Sequence, residues 1–199
     1  MIRILHLYAN AIDKLTEGLG AISMYLVLPT VFIGFANVVL RYAGRFVGVR
    51  LTSNAIIEIQ WYLYSLIFFF GFAYILKHNI NVRVDFWYGQ QSLKRKAIID
   101  FVGHLIALVP FCLLGLYVTY NPVMLSWGRR FDGTWGTWEM SPDPSGLPRA
   151  PIKTMILVGF FTLLLQAIVE LIRLYGTLRD IDELQRTSPE DKEAPLRIE

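Results

Sequence analysis

The chain has 199 residues, of which 54% are hydrophobic and only 18% are charged, and its mean hydropathy is +0.44. This composition excludes an ordinary soluble domain, because a folded chain of this length would lack the polar side chains to cover its surface. The net charge of +3 comes from residues between the apolar runs, so nucleic acid is not an expected partner. The chain is therefore predicted to be an integral membrane protein.

Residues 1–17 have the periodicity of an amphipathic helix. At about 100° per residue, the apolar side chains fall on one face and the polar side chains on the other. The apolar face carries Ile4, Leu5, Tyr8, Ala11, Ile12 and Leu15, and the polar face carries Arg3, His6, Asn10, Asp13, Lys14 and Glu17. This pattern predicts a short interfacial helix that lies among the lipid headgroups before the chain turns into the bilayer. A surface helix packed on a partner is the alternative.

Four apolar runs follow, and each is long enough to cross a bilayer core as a helix. The predicted spans are residues 19–40, 55–76, 98–120 and 152–174. The sequence thus predicts an all-α integral membrane fold, in which the interfacial helix precedes four transmembrane helices within a domain of residues 18–175. Residues 176–199 are polar and are predicted to form a cytoplasmic tail.

The distribution of Lys and Arg predicts the orientation of the spans. With four spans, the N-terminal segment, the 77–100 loop and the tail share one side of the membrane, and they hold 12 of the 19 basic residues. The 41–57 and 125–153 loops hold the other 7. The positive-inside rule therefore places both termini in the cytoplasm.

The first two spans bring charged and aromatic residues to one membrane surface. Arg41 and Tyr42 follow the first span, and Glu58 and Trp61 begin the second. An isolated charge at this depth is costly, so Arg41 and Glu58 are predicted to pair with each other, with a lipid phosphate or with a partner protein. The alternative is that each charged side chain extends to the headgroups alone.

The charged turn between the second and third spans contains Arg83 and Asp85, which alternate with two valines. This spacing lets both charged side chains face the same way and pair, which would hold the turn. A solvated loop is the alternative. In either case the basic residues at 94–96 follow closely, as expected for a cytoplasmic hairpin.

The loop before the fourth span has an unusual composition. It carries three of the five tryptophans, and four prolines and two glycines lie between residues 136 and 153. Prolines fix the backbone shape without regular secondary structure, so this loop is predicted to be a rigid ledge presented to another protein. The candidate contact residues in it are Trp138, Glu139, Pro148 and Lys153. An interfacial aromatic belt is the alternative, and it accounts well for Trp127.

The chain resembles the small membrane subunit, the DctQ-like component, of tripartite ATP-independent periplasmic (TRAP) transporters. The resemblance covers about residues 10–175 and rests on four features in the same order. They are Arg41-Tyr42, Glu58, Val82-Arg83-Val84-Asp85, and the Ser141-Pro-Asp…Gly146-Leu-Pro…Pro151-Ile-Lys153 stretch, which is similar to a subgroup associated with mannitol and haloaromatic acid uptake. Ile80 and Asn81 depart from the family pattern, which often has an acidic residue and a histidine there.

The resemblance implies a non-catalytic scaffold subunit in the bacterial inner membrane. In that family a large multi-span subunit forms the transport path and couples an organic acid or a similar small solute to a sodium gradient. A periplasmic solute-binding protein delivers the solute. The resemblance therefore implies these two proteins and membrane lipids as partners, and it implies no cofactor.

Two other classes of function are compatible with four spans. The first is a haem-binding anchor of a redox complex, which needs two membrane-buried histidines, whereas only His104 of the three histidines lies inside a span. The second is a membrane assembly protein without a transport role. Enzyme activity is not predicted, because the sequence has no nucleophile–histidine–acid arrangement and no phosphate-binding glycine loop.

Overall fold

The computed structural model describes residues 2–80 and 85–179 together with Ile181 and Leu184, and of Asp85 it describes only the backbone. The described residues form helices and no β-strand; two isolated β-bridges occur in the last long loop. The helices are α1 (Ile2–Val47), α2 (Asn54–Lys77), α3 (Asp85–Tyr88), α4 (Leu93–Gly103), α5 (Val109–Ser126) and α6 (Ala150–Leu178), with a π-helical segment (His104–Leu108) between α4 and α5.

Within the residues that the structure describes, four helices are long and apolar enough to cross a membrane. They are α1, α2, the continuous helix Leu93–Ser126 and α6. This result confirms the predicted all-α membrane fold. The predicted second, third and fourth spans each lie inside one of these helices, and the helices extend beyond the predictions at both ends. A charged residue such as Lys77 ends the apolar run although it is still part of the helix. Hydropathy therefore underestimates helix length.

The predicted turn between residues 17 and 19 is absent, because α1 runs without interruption through this region. The polar face of the N-terminal segment instead contacts other helices. Thr16 Oγ1 donates a hydrogen bond to Gln166 Oε1 at 2.8 Å. Lys77 Nζ donates to Glu17 Oε1 at 2.5 Å. These contacts connect Thr16 to α6 and Glu17 to α2, whereas the sequence pattern assigned the polar face of residues 1–17 to lipid headgroups.

The chain divides into two compact units, and each long membrane helix contributes residues to both. One unit comprises Met1–Gly18, Phe72–Leu114 and Phe160–Glu199. Its apolar core is formed by Leu76, Cys112, Leu163 and Ala167, with Phe72 and Leu108 among the side chains packed around them. This apolar core lies in the same unit as a second, polar cluster.

The polar cluster joins α1 to α6 through five side chains: Asp13, Thr16, Gln166, Glu170 and Arg173. Arg173 donates to Asp13, and its second terminal nitrogen donates to Glu170 Oε1 at 3.3 Å. Gln166 Nε2 lies 3.3 Å from Asp13 Oδ1 and 3.2 Å from Glu170 Oε1. Gln166 is fully buried, and Thr16 and Glu170 are buried as well. Buried polar groups in these positions are satisfied by one another.

The other unit comprises Leu19–Gly71 and Gly115–Gly159. Its helices approach closely at small residues. Ser23 Oγ donates to the backbone carbonyl of Ile67 at 2.8 Å. A Cβ atom added to Gly159 would lie 2.8 Å from the ring of Phe69, so only glycine fits there. Such contacts at Gly and Ser are typical of helices that pack inside a membrane.

The π-helical segment lies directly before Pro110. The backbone N–H of Val109 donates to the carbonyl of His104, five residues earlier, which defines the wider turn. Pro110 has no N–H to donate, and its ring would collide with a carbonyl of the preceding turn in a regular α-helix. The wider turn relieves this collision and lets one helix continue from α4 into α5.

Candidate functional site

The loop from Trp127 to Arg149 joins α5 to α6 and contains three of the predicted site residues, Trp138, Glu139 and Pro148. Its backbone makes isolated bridges between Arg129 and Trp135 and between Met140 and Pro148. The N–H of Ser141 also donates to the carbonyl of Leu147 at 3.1 Å. We call residues 139–149 the ledge.

Glu58 attaches the ledge to α2. This side chain is only 3% exposed although it lies near the start of a membrane helix. Its carboxylate accepts hydrogen bonds from the Ser141 hydroxyl and from the backbone N–H of Leu147. The carboxylate therefore satisfies two donors of an irregular segment that has few backbone partners of its own.

Two neighbours of Glu58 on the same face of α2 strengthen this attachment. Asn54 Nδ2 donates to the carbonyl of Pro144 at 3.2 Å, and Tyr62 Oη donates to the carbonyl of Pro148 at 2.9 Å. Positions 54, 58 and 62 are separated by four residues, so their side chains follow one another along one helix face. Three successive turns of α2 thus hold the ledge.

Glu139 attaches the other end of the ledge to α5 and α6. Lys153 Nζ donates to Glu139 Oε2 at 2.5 Å, and the Ser126 hydroxyl donates to the same atom at 2.6 Å. The backbone N–H of Arg149 donates to the carbonyl of Glu139 at 2.9 Å. The hydrogen bond from Lys153, followed by that from Ser126, lowers the pKa of Glu139 below its ordinary value.

This lowered pKa predicts an acid-sensitive loop. Because the folded pKa of Glu139 lies below the unfolded value, its stabilising contribution is complete above about pH 4.5 and is lost as the pH falls through the folded pKa. Tryptophan fluorescence of the detergent-solubilised protein, followed from neutral to acidic pH, should show a transition that is absent in Glu139→Gln. A transition of equal size in Glu139→Gln would contradict the assignment.

The tryptophans divide into anchored and exposed side chains. The Trp127 indole N–H donates to Thr154 Oγ1 at 2.8 Å, and its ring lies 5.8 Å from that of Trp138. Trp138 is 46% exposed and Trp135 is 66% exposed. Trp127 therefore packs within the unit, whereas Trp138 and Trp135 present aromatic surface beside the ledge.

Gly128 allows two backbone segments of this loop to come into close contact. Its φ is +93°, and an added Cβ atom would lie 2.6 Å from the carbonyl oxygen of Gly136. Gly133 has a similar φ of +82° but has open space around it. Gly128 therefore combines a left-handed backbone with a close backbone contact, whereas Gly133 has only the left-handed backbone.

We expect Gly128→Ala to disorder the loop and Gly133→Ala to have a small effect. The left-handed conformation alone costs an alanine roughly 1–2 kcal/mol, and Gly128→Ala adds a collision with backbone that cannot move aside. Limited proteolysis of the two variants measures the difference. Equal cleavage rates would show that the close approach at Gly136 does not hold the loop.

The structure brings together only some of the predicted site residues. Glu139 pairs with Lys153. Glu58 bonds Ser141 and Leu147 of the ledge, and the Pro148 carbonyl accepts from Tyr62. Trp61 packs edge-on against Tyr62 with ring centroids 4.3 Å apart. Arg83 lies outside the described residues, and so does the side chain of Asp85. The predicted pair between these two residues stays a prediction.

Arg41 and Glu58 do not pair with each other. Both carboxylate oxygens of Glu58 accept from the ledge, and Arg41 is exposed at the end of α1. The intramolecular alternative for these two charges is therefore wrong, because the backbone N–H of Leu147 and the Ser141 hydroxyl occupy the carboxylate. Tyr42 is exposed next to Arg41, and the guanidinium of Arg45 lies 5.6 Å from its ring centre.

Sequence reasoning missed Asn54, Tyr62 and Ser126, and it named Ser141 only as part of the stretch that resembles the family, without a contact. The spacing of Asn54, Glu58 and Tyr62 was visible in the sequence as three polar side chains on one face of an apolar helix. The acceptors of Asn54 and Tyr62 are backbone carbonyls more than 80 residues away in the chain, and one donor to Glu58 is a backbone N–H. A backbone acceptor leaves no sequence signal, so the pairing could not be inferred.

Comparison with known proteins places the chain in a family. No curated protein and no solved structure matches it. The model of the family described as "Tripartite ATP-independent periplasmic transporters, DctQ component" matches residues 18–177. The matched region includes all four candidate spans apart from the start of α1 and the last residue of α6, and it includes the whole ledge. This family match does not favour the haem-binding alternative. The chain therefore belongs to the DctQ family of small membrane components of TRAP transporters.

Proposed function

We propose that this protein braces the large transport subunit of a TRAP transporter and presents the ledge to its partners. Membership of the DctQ family implies association with a large membrane subunit and a periplasmic binding protein in the bacterial inner membrane. The observation that carries the bracing role is the attachment of the ledge to three turns of α2 through Asn54, Glu58 and Tyr62. A surface fixed in this way loses little conformational freedom on binding.

The predicted orientation puts the ledge in the periplasm. With both termini in the cytoplasm, the loop between α5 and α6 faces the binding protein and the outer surface of the large subunit. Trp135 and Trp138, with their exposed rings, are the aromatic anchors that such an interface commonly uses. Cysteine labelling supports this orientation if a cysteine at position 132 reacts with a membrane-impermeant maleimide in intact spheroplasts.

A row of large side chains on α1 provides the surface for a membrane partner. Tyr25, Leu28, Phe32 and Phe35 are each about 70% exposed, and their spacing places them on one helix face. In our proposal this row packs against helices of the large subunit, and lipids cover the remaining apolar surface. The transport path and sodium coupling belong to the large subunit, and the solute is an organic acid or a polyol.

The deciding experiment is affinity purification of the tagged chain from its native membrane in mild detergent. The proposal predicts a stoichiometric, very hydrophobic partner with roughly ten or more spans of about 20 residues each. Replacement of Phe32 and Phe35 by alanine should reduce recovery of this partner. Replacement of Phe111 and Tyr117, which are exposed on α5, serves as the control. Recovery of the chain alone would refute the proposal and would favour the alternative of a membrane assembly protein without a transport role.

A further inference from the structure

The segment of residues 41–52, which we call the turn, contains the end of α1 and the residues that follow it. It has three arginines and no acidic residue. Arg41, Arg45 and Arg50 surround an open cavity of about 430 Å³, together with Gly44, Thr52 and their neighbours. The sequence has no Asp or Glu between residues 18 and 57. Within the part of the chain that the structure describes, none of the three guanidinium groups takes part in an ion pair. The cavity therefore carries a concentrated, uncompensated positive charge.

The backbone of this turn is fixed by a helix-terminating motif. Gly48 adopts a φ of +71°, and the N–H of Val49 donates to the carbonyl of Gly44 at 3.1 Å. This pattern is the Schellman motif, which closes the last turn of a helix. A Cβ atom on Gly44 would lie 2.6 Å from the carbonyl oxygen of Val49, so glycine permits the tight closure. The backbone that carries Arg45 and Arg50 is thereby fixed at the end of α1.

The position of the turn along α1 places it at headgroup level. Leu19 to Leu40 is an uncharged run of 22 residues, which spans about 33 Å as a helix and matches a bilayer core of about 30 Å. Arg41 is the first charged residue after that run. This placement holds whichever way the helix crosses the membrane.

Apolar side chains around the arginines distinguish a lipid site from a solvated loop. Phe46 is 90% exposed, Val47 is 68% exposed and Val49 is 56% exposed. A loop surrounded by water would not expose consecutive large apolar residues. Guanidinium groups beside such residues match the boundary of a bilayer, where phosphates lie next to acyl chains.

We propose that this turn binds the phosphate of an anionic phospholipid through Arg41, Arg45 and Arg50. Guanidinium groups form paired hydrogen bonds to phosphate oxygens, and the cavity volume falls in the range of small-ligand sites, about 300–1,000 Å³. Arg45 is steadied by its position over the Tyr42 ring. Bound lipid would fix the end of α1 against the membrane, a role independent of the ledge and of the large subunit.

The test is native mass spectrometry of the full chain in detergent, titrated with phosphatidylglycerol. Each arginine near an anionic headgroup contributes about fivefold in affinity, so Arg41→Gln/Arg50→Gln should weaken the first bound lipid by about 25-fold. This pair leaves Arg45 in the last turn of α1, so the helix end keeps its cation. Phosphatidylcholine, which has the same phosphate without net charge, should bind the unaltered chain more weakly.

The matched control removes the same charge from another basic segment near a membrane end. Lys94→Gln/Arg95→Gln lies at the start of α4 and should change phosphatidylglycerol affinity less than about twofold. An equal loss in both variants would overturn the site, and so would displacement of the lipid by inorganic phosphate at equal concentration. If Arg41→Gln/Arg50→Gln keeps the lipid but loses the large subunit in affinity purification, the turn is a protein interface and the proposal is wrong.

Discussion

Glu58→Ala should release the ledge from α2 and reduce both the yield of assembled transporter and the transport rate by about fivefold or more. The change removes the acceptor of two charge-assisted hydrogen bonds and leaves the partly buried N–H of Leu147 without its partner. The rest of α2 should remain a helix, because the substitution introduces the residue with the highest helix propensity. The damage is therefore expected in the loop.

Glu58→Gln is the more discriminating variant. Its side chain has nearly the same shape but carries no charge and has only one acceptor oxygen. It can keep both contacts only if its NH2 group donates to the Ser141 hydroxyl, which reverses that hydrogen bond, while its oxygen accepts from Leu147. We expect an intermediate defect. Asp143→Asn is the control, because Asp143 is an exposed acid of the same ledge and should leave yield unchanged.

The measurements are uptake in membrane vesicles and hydrogen exchange of the solubilised protein. Faster exchange should be confined to residues 139–149 and to the start of α2 in Glu58→Ala. If the ledge keeps wild-type protection while transport is lost, Glu58 acts on a partner directly and our account of its role is wrong.

Arg173→Ala should destabilise the unit that contains the N-terminus by about 3–5 kcal/mol. Arg173 lies between Asp13 and Glu170, and the side chains of these three residues are at most 15% exposed. Removing the cation leaves two carboxylates close together in a poorly hydrated place, which costs far more than loss of a surface pair. The N-terminal end of α1 should then detach from α6.

A cycle of variants isolates the charge effect. In an Asp13→Asn/Glu170→Gln background the same Arg173→Ala change should cost much less, because no carboxylate is left unpaired. Arg179→Ala is the control on the same helix end. Its guanidinium is exposed and lies 5.8 Å from the Tyr175 ring, so we expect a loss of less than about 1 kcal/mol.

Unfolding by titration with sodium dodecyl sulfate from mild-detergent micelles gives the free energies for this series. Accessibility of a cysteine placed at position 10 reports detachment of the N-terminal segment. Equal losses in Arg173→Ala and Arg179→Ala would contradict a buried ionic cluster.

The membrane spans were predictable because hydropathy reports the surroundings of each side chain directly. Glu58 was recognisable for the same reason, since a charge that enters an apolar helix needs a partner. The identity of that partner was not predictable. A backbone N–H at Leu147 has no sequence signature, and the two residues are separated by 89 positions.

The N-terminal segment illustrates a different limit. Its amphipathic pattern correctly marks a helix with one polar face, but the pattern does not distinguish water or headgroups from polar side chains of another helix. The partners of Asp13 and Thr16 are Arg173 and Gln166. Both lie in the fourth predicted span, at least 150 residues away in the chain.

The attachment of the ledge to α2 has an evolutionary consequence. Since positions 54, 58 and 62 bond with residues 141–148, a change on either side alters the hydrogen bonds available to the other. Among DctQ relatives, substitutions at these three helix positions should therefore be accompanied by changes in the composition or length of the segment before α6. Relatives that lack an acid at position 58 should carry a differently built segment, and the two sets of positions should co-vary as one inherited module.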